Sequence, residues 1–114
     1  MESKLVIDWE VGDKLVGGNH KLAQKMVHLL IDCLPEHQSE IKKYYQDNDL
    51  PHLASATHKL HGATCYCGTP RLKNASKELE HAASTKEKKR ITTLYNILCR
   101  EMDAVIEAVN TLKN

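Results

Sequence analysis

Seven histidines are spread over 114 residues, and one of them stands where an imidazole could serve as a nucleophile. His58 has Ala54 and Gly62 at i−4 and i+4, His61 at i+3 and Cys65 at i+7. On a helix these residues share one face. The two nearest neighbours of the imidazole on that face carry almost no side chain. A mid-helix glycine costs about 1 kcal/mol against alanine, so Gly62 needs a reason. Close approach of another macromolecule is one. A neutral, exposed imidazole can attack an electrophilic phosphorus and hold it as a labile phosphoramidate. The chain carries no means of generating that electrophile: there is no Gly-rich phosphate loop, no Gly-Lys-Ser/Thr and no pair of carboxylates beside the histidine in sequence. A partner must then bring the metal and the charge stabilisation.

The elements that must hold this face follow from apolar spacing. On a helical wheel, Leu53, Leu60 and Cys67 fall within about 40° of one another, and Leu53 and Leu60 lie roughly 140° and 200° from His58. The leucine stripe is therefore buried and His58 points away from the core. Asp8 is read as capping a short helix that Gly17-Gly18 breaks. Asn19 caps a second helix with Leu22, Met26, Leu29, Leu30 and Cys33 at helical spacing. Pro35 either interrupts that helix or opens the next one from its first turn. An apolar stripe through Ile41, Tyr44 and Tyr45 continues to about Gln46. Asp47-Asn48-Asp49 is a turn, and the helix of His58 follows with Pro51 in its first turn.

Gly68 ends that helix. Thr69-Pro70 restarts the chain with a capping hydroxyl and a first-turn proline. Leu72, Ala75, Leu79 and Ala82-Ala83 mark the next helix. Ser84-Thr85-Lys86-Glu87 fits a capping box for a long last helix, with Ile91, Leu94, Ile97 or Leu98, Met102, Val105, Val109 and Leu112 on its buried side. No segment alternates apolar and polar residues convincingly. The expectation is one domain, residues 1–114, all-α: an antiparallel four-helix up-down bundle with a short extra N-terminal helix.

Composition agrees. The chain is 41% hydrophobic and 27% charged, as expected of a soluble globular domain. With four tyrosines, one tryptophan and no phenylalanine, the core must be aliphatic, which suits helices. A net charge of +1 argues against nucleic acid or a membrane surface held by bulk charge. The run Met26–Ile31 is too short to span a bilayer, and the first residues show no secretory pattern. The four cysteines (Cys33, Cys65, Cys67, Cys99) read as reduced cytosolic thiols.

The run Thr57-His58-Lys59-Leu60-His61-Gly62-Ala63-Thr64-Cys65-Tyr66-Cys67-Gly68 resembles the signature of histidine-containing phosphotransfer (HPt) domains. That signature is a His, a Lys or polar residue three later, a Gly four later and a second Gly ten later. With Gly68-Thr-Pro-Arg-Leu-Lys73, Ile7-Asp8-Trp9 and Leu34-Pro35-Glu36, the chain looks most like the C-terminal HPt domains of BarA/GacS-type hybrid sensor histidine kinases. The resemblance runs from about Val6 to Val109. It implies a four-helix bundle with His58 as phosphoacceptor, taking phosphoryl from an aspartyl phosphate on the receiver domain of the parent hybrid kinase and passing it to a downstream response regulator. It implies a phosphocarrier, not an enzyme with its own ATP site. It implies no cofactor of its own, since Mg²⁺ comes with the receiver. It implies a monomeric module in the cytoplasm, free-standing or attached to a kinase anchored in the inner membrane, without nucleic acid or direct membrane contact. Position 61 departs from the family, where Lys is commoner.

Around His58, the expected supporting residues are His61, Gly62, Lys59 and Lys73. The docking surface is expected to use Ala54, Ser55, Cys65 and Arg71, with Lys77 in a basic rim and Leu15, Val16 and Tyr66 as apolar contributors. Gly68 is assigned to the turn. His58, His61 and Cys65 at i, i+3 and i+7 also have metal-ligand chemistry, but no fourth ligand is in view, and no metal site is expected. The alternative to phosphotransfer is a helical metal-binding or structural interaction bundle. His20, His28, His37, His52 and His81 are read as surface or helix-end residues.

Overall fold

Three side chains start helices as their types predict. Asp8, Asn19 and Asp49 each accept a hydrogen bond from the backbone N–H three residues on, at Val11, Leu22 and His52. The computed structural model describes residues 5–112 and consists there of five helices and no strand. They are α1 (Trp9–Leu15), α2 (His20–Gln46), α3 (Leu50–Thr64), α4 (Pro70–Ser84) and α5 (Lys88–Leu112). The four long helices form the bundle, with α4 between α3 and α5 and α2 against both α3 and α5. Leu34, Ile41, Leu53, Leu60, Leu72, Leu79, Leu98, Met102 and Val105 are fully buried between them. None of the described helices is long and apolar enough to cross a membrane.

Three helix ends share one device. After α1, α2 and α4 the chain turns through Gly17, Asn48 and Lys86, all at positive φ. The next N–H in each case reaches back to the carbonyl five residues earlier: Gly18 to Asp13, Asp49 to Tyr44, Glu87 to Ala82. These are Schellman closures. The third corrects the expected capping box. Thr85 hydrogen-bonds back to the His81 carbonyl as well as to Glu87. Ser84–Glu87 therefore ends α4, and α5 begins at Lys88.

Pro35 neither stops nor starts a helix. The 27-residue α2 runs through it. A proline inside a helix costs about 3 kcal/mol, but Leu30, Leu34 and Ile41 are buried on both sides of it and hold the helix in one piece. Two further expectations change at the α3–α4 turn. Helix α3 ends at Thr64, so the buried Cys67 lies beyond it. Thr69 occupies the N-cap position of α4, but its hydroxyl makes no capping bond and is buried without a partner.

Gly68 is structural for a different reason than helix termination. The Asp8 N–H donates to the Gly68 carbonyl at 2.7 Å. A Cβ on Gly68 would collide with the Asp8 carbonyl and the Gly12 backbone. Only a glycine lets α1 seat on the α3–α4 turn. His20, read as a mere helix-end residue, also secures α1: its Nδ1 is 2.8 Å from the Asp13 carboxylate and its ring meets Trp9 edge-on at 5.6 Å.

Candidate functional site

Helices α3 and α4 form an antiparallel hairpin and make the most extensive helix–helix contact in the bundle. Small side chains allow it: Ala56, Thr57, Thr64, Ala75, Ser76 and Ala83 are buried. The Thr57 and Ser76 hydroxyls donate to carbonyls of their own helices, so both polar groups are buried with partners. In such a hairpin, residues equally far from the turn face each other. His58 and Glu80 are each eleven residues from Thr69.

The pairing is direct. His58 Nδ1 lies 2.6 Å from Glu80 Oε1. A carboxylate only accepts, so Nδ1 carries the ring proton and donates it. The other ring nitrogen, Nε2, then keeps its lone pair. The His58 side chain is 72% exposed, as the helical wheel predicts, while Glu80 and His61 are each 24% exposed. His61 Nδ1 stands 3.8 Å from the second oxygen, Glu80 Oε2. One carboxylate thus lies between two imidazoles. Glu80 escaped the sequence reading because it is remote in sequence from the histidine motif. Its signal was the equal spacing about the turn.

The remaining expected residues separate. Gly62 is exposed, and a Cβ there would meet nothing within 4 Å. Nothing in the described fold requires a glycine at that position. Ser55 is exposed, while Ala54 and Cys65 are half-buried. The Cys65 thiol donates to the His61 carbonyl. Lys59 reaches away from the histidines to Glu40 on α2, at 3.1 Å. Arg71 pairs with Glu101 on α5 through two contacts of 2.9 and 3.0 Å. Lys73 and Lys77 have no ion-pair partner among the described residues. Both line a groove with Val11, Leu15, Leu94 and Ile97 between α1, α4 and α5. By helical spacing, Lys77 and Lys73 precede Glu80 by one and two turns on the same side of α4. Tyr66 is exposed near the turn, and Val16 is half-buried.

The other histidines are less uniform than expected. His28 and His81 are exposed. His52 bonds the Asp49 carboxylate and stacks on Tyr44 at 5.0 Å. Partial burial shifts His37 toward its neutral form. Tyr45 and Tyr95 stack at 3.8 Å at the edge of the core.

A family model described as the Hpt domain matches residues 25–112. The signal transduction histidine-protein kinase BarA of Escherichia coli K12 is 33% identical over 101 residues, covering 87% of this chain and 11% of that protein. The sensor protein GacS of Pseudomonas syringae pv. syringae is 37% identical over 76 residues, covering 67% and 8%. The chain therefore spans about a tenth of the length of these relatives. Among solved structures, the HPT domain of a sensor hybrid histidine kinase from Shewanella superposes with a TM-score of 0.74 at 29% identity, over 96% of this chain and 97% of that one.

Proposed function

The chain belongs to the Hpt domain family and is homologous to the phosphotransfer modules of hybrid sensor kinases, and from that membership we propose that His58 is its phosphoacceptor. The observation that carries this reading is the 2.6 Å contact of the exposed His58 ring, through Nδ1, with Glu80. Glu80 holds the proton on Nδ1 at 2.6 Å, and Nε2 is left as the nucleophile on an exposed ridge.

Nε2 attacks the phosphorus of an aspartyl phosphate on a receiver domain. The N–P bond forms, the acyl-phosphate O–P bond breaks, and the aspartate leaves as a carboxylate. The ring becomes cationic as the bond forms. Glu80, 2.6 Å from Nδ1–H, stabilises that charge where it develops. In the reverse sense, an unphosphorylated aspartate of a response regulator attacks the same phosphorus, and the neutral Nδ1–H imidazole departs. The receiver would supply Mg²⁺ and the groups that neutralise the equatorial oxygens. This chain supplies a nucleophile, its orienting carboxylate and clearance at Gly62. Lys73 and Lys77, with the apolar edge at Val11 and Leu15, suit the docking of an acidic receiver face. His61 can donate a hydrogen bond to a phosphoryl oxygen. The module is a phosphocarrier working in the cytoplasm as a monomer, between the receiver of a hybrid kinase and a downstream response regulator.

The test is incubation with a phosphorylated receiver domain. Label on this chain should be acid-labile and alkali-stable, vanish in His58→Gln and persist in His37→Gln. A folded wild-type chain that takes no label overturns the reading.

A further inference from the structure

We propose that His58, His61 and Glu80 also form a binding site for a divalent transition-metal ion, zinc by their ligand chemistry, and that an ion bound there silences the phosphoacceptor. The silencing half rests on the function proposed above; the binding half does not.

One ligand atom from each of the three residues can be chosen so that all lie within 4.8 Å of one another. Tetrahedral zinc with bonds of 2.0–2.1 Å holds its ligand atoms roughly 3.4 Å apart. The contacts to the two Glu80 oxygens fall on either side of that value: His58 Nδ1 to Oε1 is 2.6 Å, and His61 Nδ1 to Oε2 is 3.8 Å. Side-chain adjustments of about an ångström, within the reach of rotamer wells, would close the three around an ion. Two imidazoles and a carboxylate form a ligand set that zinc uses when it keeps a fourth position for water. They suit Zn²⁺ better than Mg²⁺, which prefers oxygen. The backbone positions are already set, since the histidines are one turn apart on α3 and Glu80 faces them from α4. The nearest cation in sequence on α3, Lys59, is drawn off to Glu40. Exposure of the His58 side chain leaves the ion a path in. Cys65, the third ligand suggested by the i, i+3, i+7 spacing, is not part of this group; the carboxylate from α4 replaces it.

The consequence is chemical. A neutral imidazole has one available nitrogen lone pair. If the ion takes Nδ1, the ring proton moves to Nε2, and Nε2 has no lone pair with which to attack phosphorus. If the ion takes Nε2, the nucleophile is occupied directly. Either mode consumes the electrons that phosphotransfer needs, and also the carboxylate that orients the ring.

Titration of untagged, reduced protein with zinc sulfate by calorimetry should give one ion per chain. Glu80→Gln and His61→Gln should each weaken binding at least tenfold, and Cys65→Ser should leave it within twofold. Wild-type labelling by a phosphorylated receiver should fall at least tenfold at saturating zinc and return with a zinc-selective chelator. The residual labelling of His61→Gln should not respond to the same zinc concentration. Absent binding, or binding unaltered by both Glu80→Gln and His61→Gln, overturns the site. Equal zinc inhibition of wild type and His61→Gln overturns the silencing, because the ion is then acting on the receiver. If metal-free wild type takes no label, the phosphoacceptor reading fails, while the calorimetry still decides the site.

Discussion

His58 Nδ1 and Glu80 Oε1 are 2.6 Å apart across the α3–α4 hairpin, and this contact selects which ring nitrogen of His58 keeps its lone pair. With His58 proposed as the phosphoacceptor, the role that follows for Glu80 is positioning: it favours one tautomer and one orientation of the ring.

Removing that carboxylate should therefore slow transfer without unfolding the chain. Glu80→Ala leaves both ring nitrogens of His58 free to carry the proton. The expected loss is roughly 10–100-fold in the rate of labelling, by analogy with the carboxylates that orient metal-ligating histidines. Rapid-quench transfer from a phosphorylated receiver measures it. A ¹⁵N spectrum of the imidazole separates positioning from mere structure: the Nδ1–H tautomer should dominate in wild type and lose population in Glu80→Ala. An unchanged tautomer ratio with an unchanged rate removes Glu80 from the site.

Gly62→Ala should move stability and transfer in opposite directions. Nothing lies within 4 Å of the added Cβ, so the fold accepts it. Gly62 lies in the last turn of α3 and not mid-helix as its spacing suggested, so alanine should stabilise the chain by at most about 0.4–1 kcal/mol. The same methyl sits one turn from His58 on the exposed ridge, where the proposed function has a receiver approach. A higher urea midpoint together with a raised KM for the receiver is the expected pair of results. A higher midpoint with an unchanged KM would mean that the glycine provides no clearance.

Much of this was legible in the sequence where the cause is local. Asp8, Asn19 and Asp49 cap their helices through bonds spanning three residues. The Leu53–Leu60 stripe shows which way His58 points because a wheel needs only helical spacing. The failures have non-local or competing causes. Pro35 was read as a boundary because its local cost is real, and only the packing of Leu34 and Ile41 overrides it. Ser84 to Glu87 matches two motifs, and the left-handed Lys86 decides for the helix ending over the helix start. Glu80 was missed because a hairpin partner is identified by distance from the turn, not by any residue near His58.

Gly68→Ala tests whether α1 is seated by backbone contact. The added methyl would overlap the Asp8 carbonyl and the Gly12 backbone, neither of which can rotate away. The expected cost is about 1–3 kcal/mol, typical of overpacking. It should appear as a lower urea midpoint and as loss of the Trp9–His20 ring contact in the NMR spectrum. The four-helix bundle below should keep its helical circular dichroism. A variant as stable as wild type would show that α1 can shift without penalty.

Cys67 gives the chain an alkaline limit. Burial, and then the neighbouring Cys33 and Cys65, push its thiol from the ordinary 9.0 up to about 11. Below pH 9 the thiol is protonated in both folded and unfolded chains, and its contribution to stability is complete. Between pH 9 and 11 the unfolded chain releases the proton while the folded chain keeps it. The unfolded state then binds fewer protons, and stability falls as pH rises. Above 11 both forms are ionised and the contribution is gone. Tyr95, also pushed up by burial, to about 12, adds to the decline from its ordinary 10 upward. The two are separated by comparing urea midpoints at pH 8 and 10.5 in wild type and Cys67→Ala. The variant should start lower at pH 8, since it empties core volume, but lose less on going to pH 10.5. Parallel losses in the two proteins would assign the alkaline limit to groups other than Cys67.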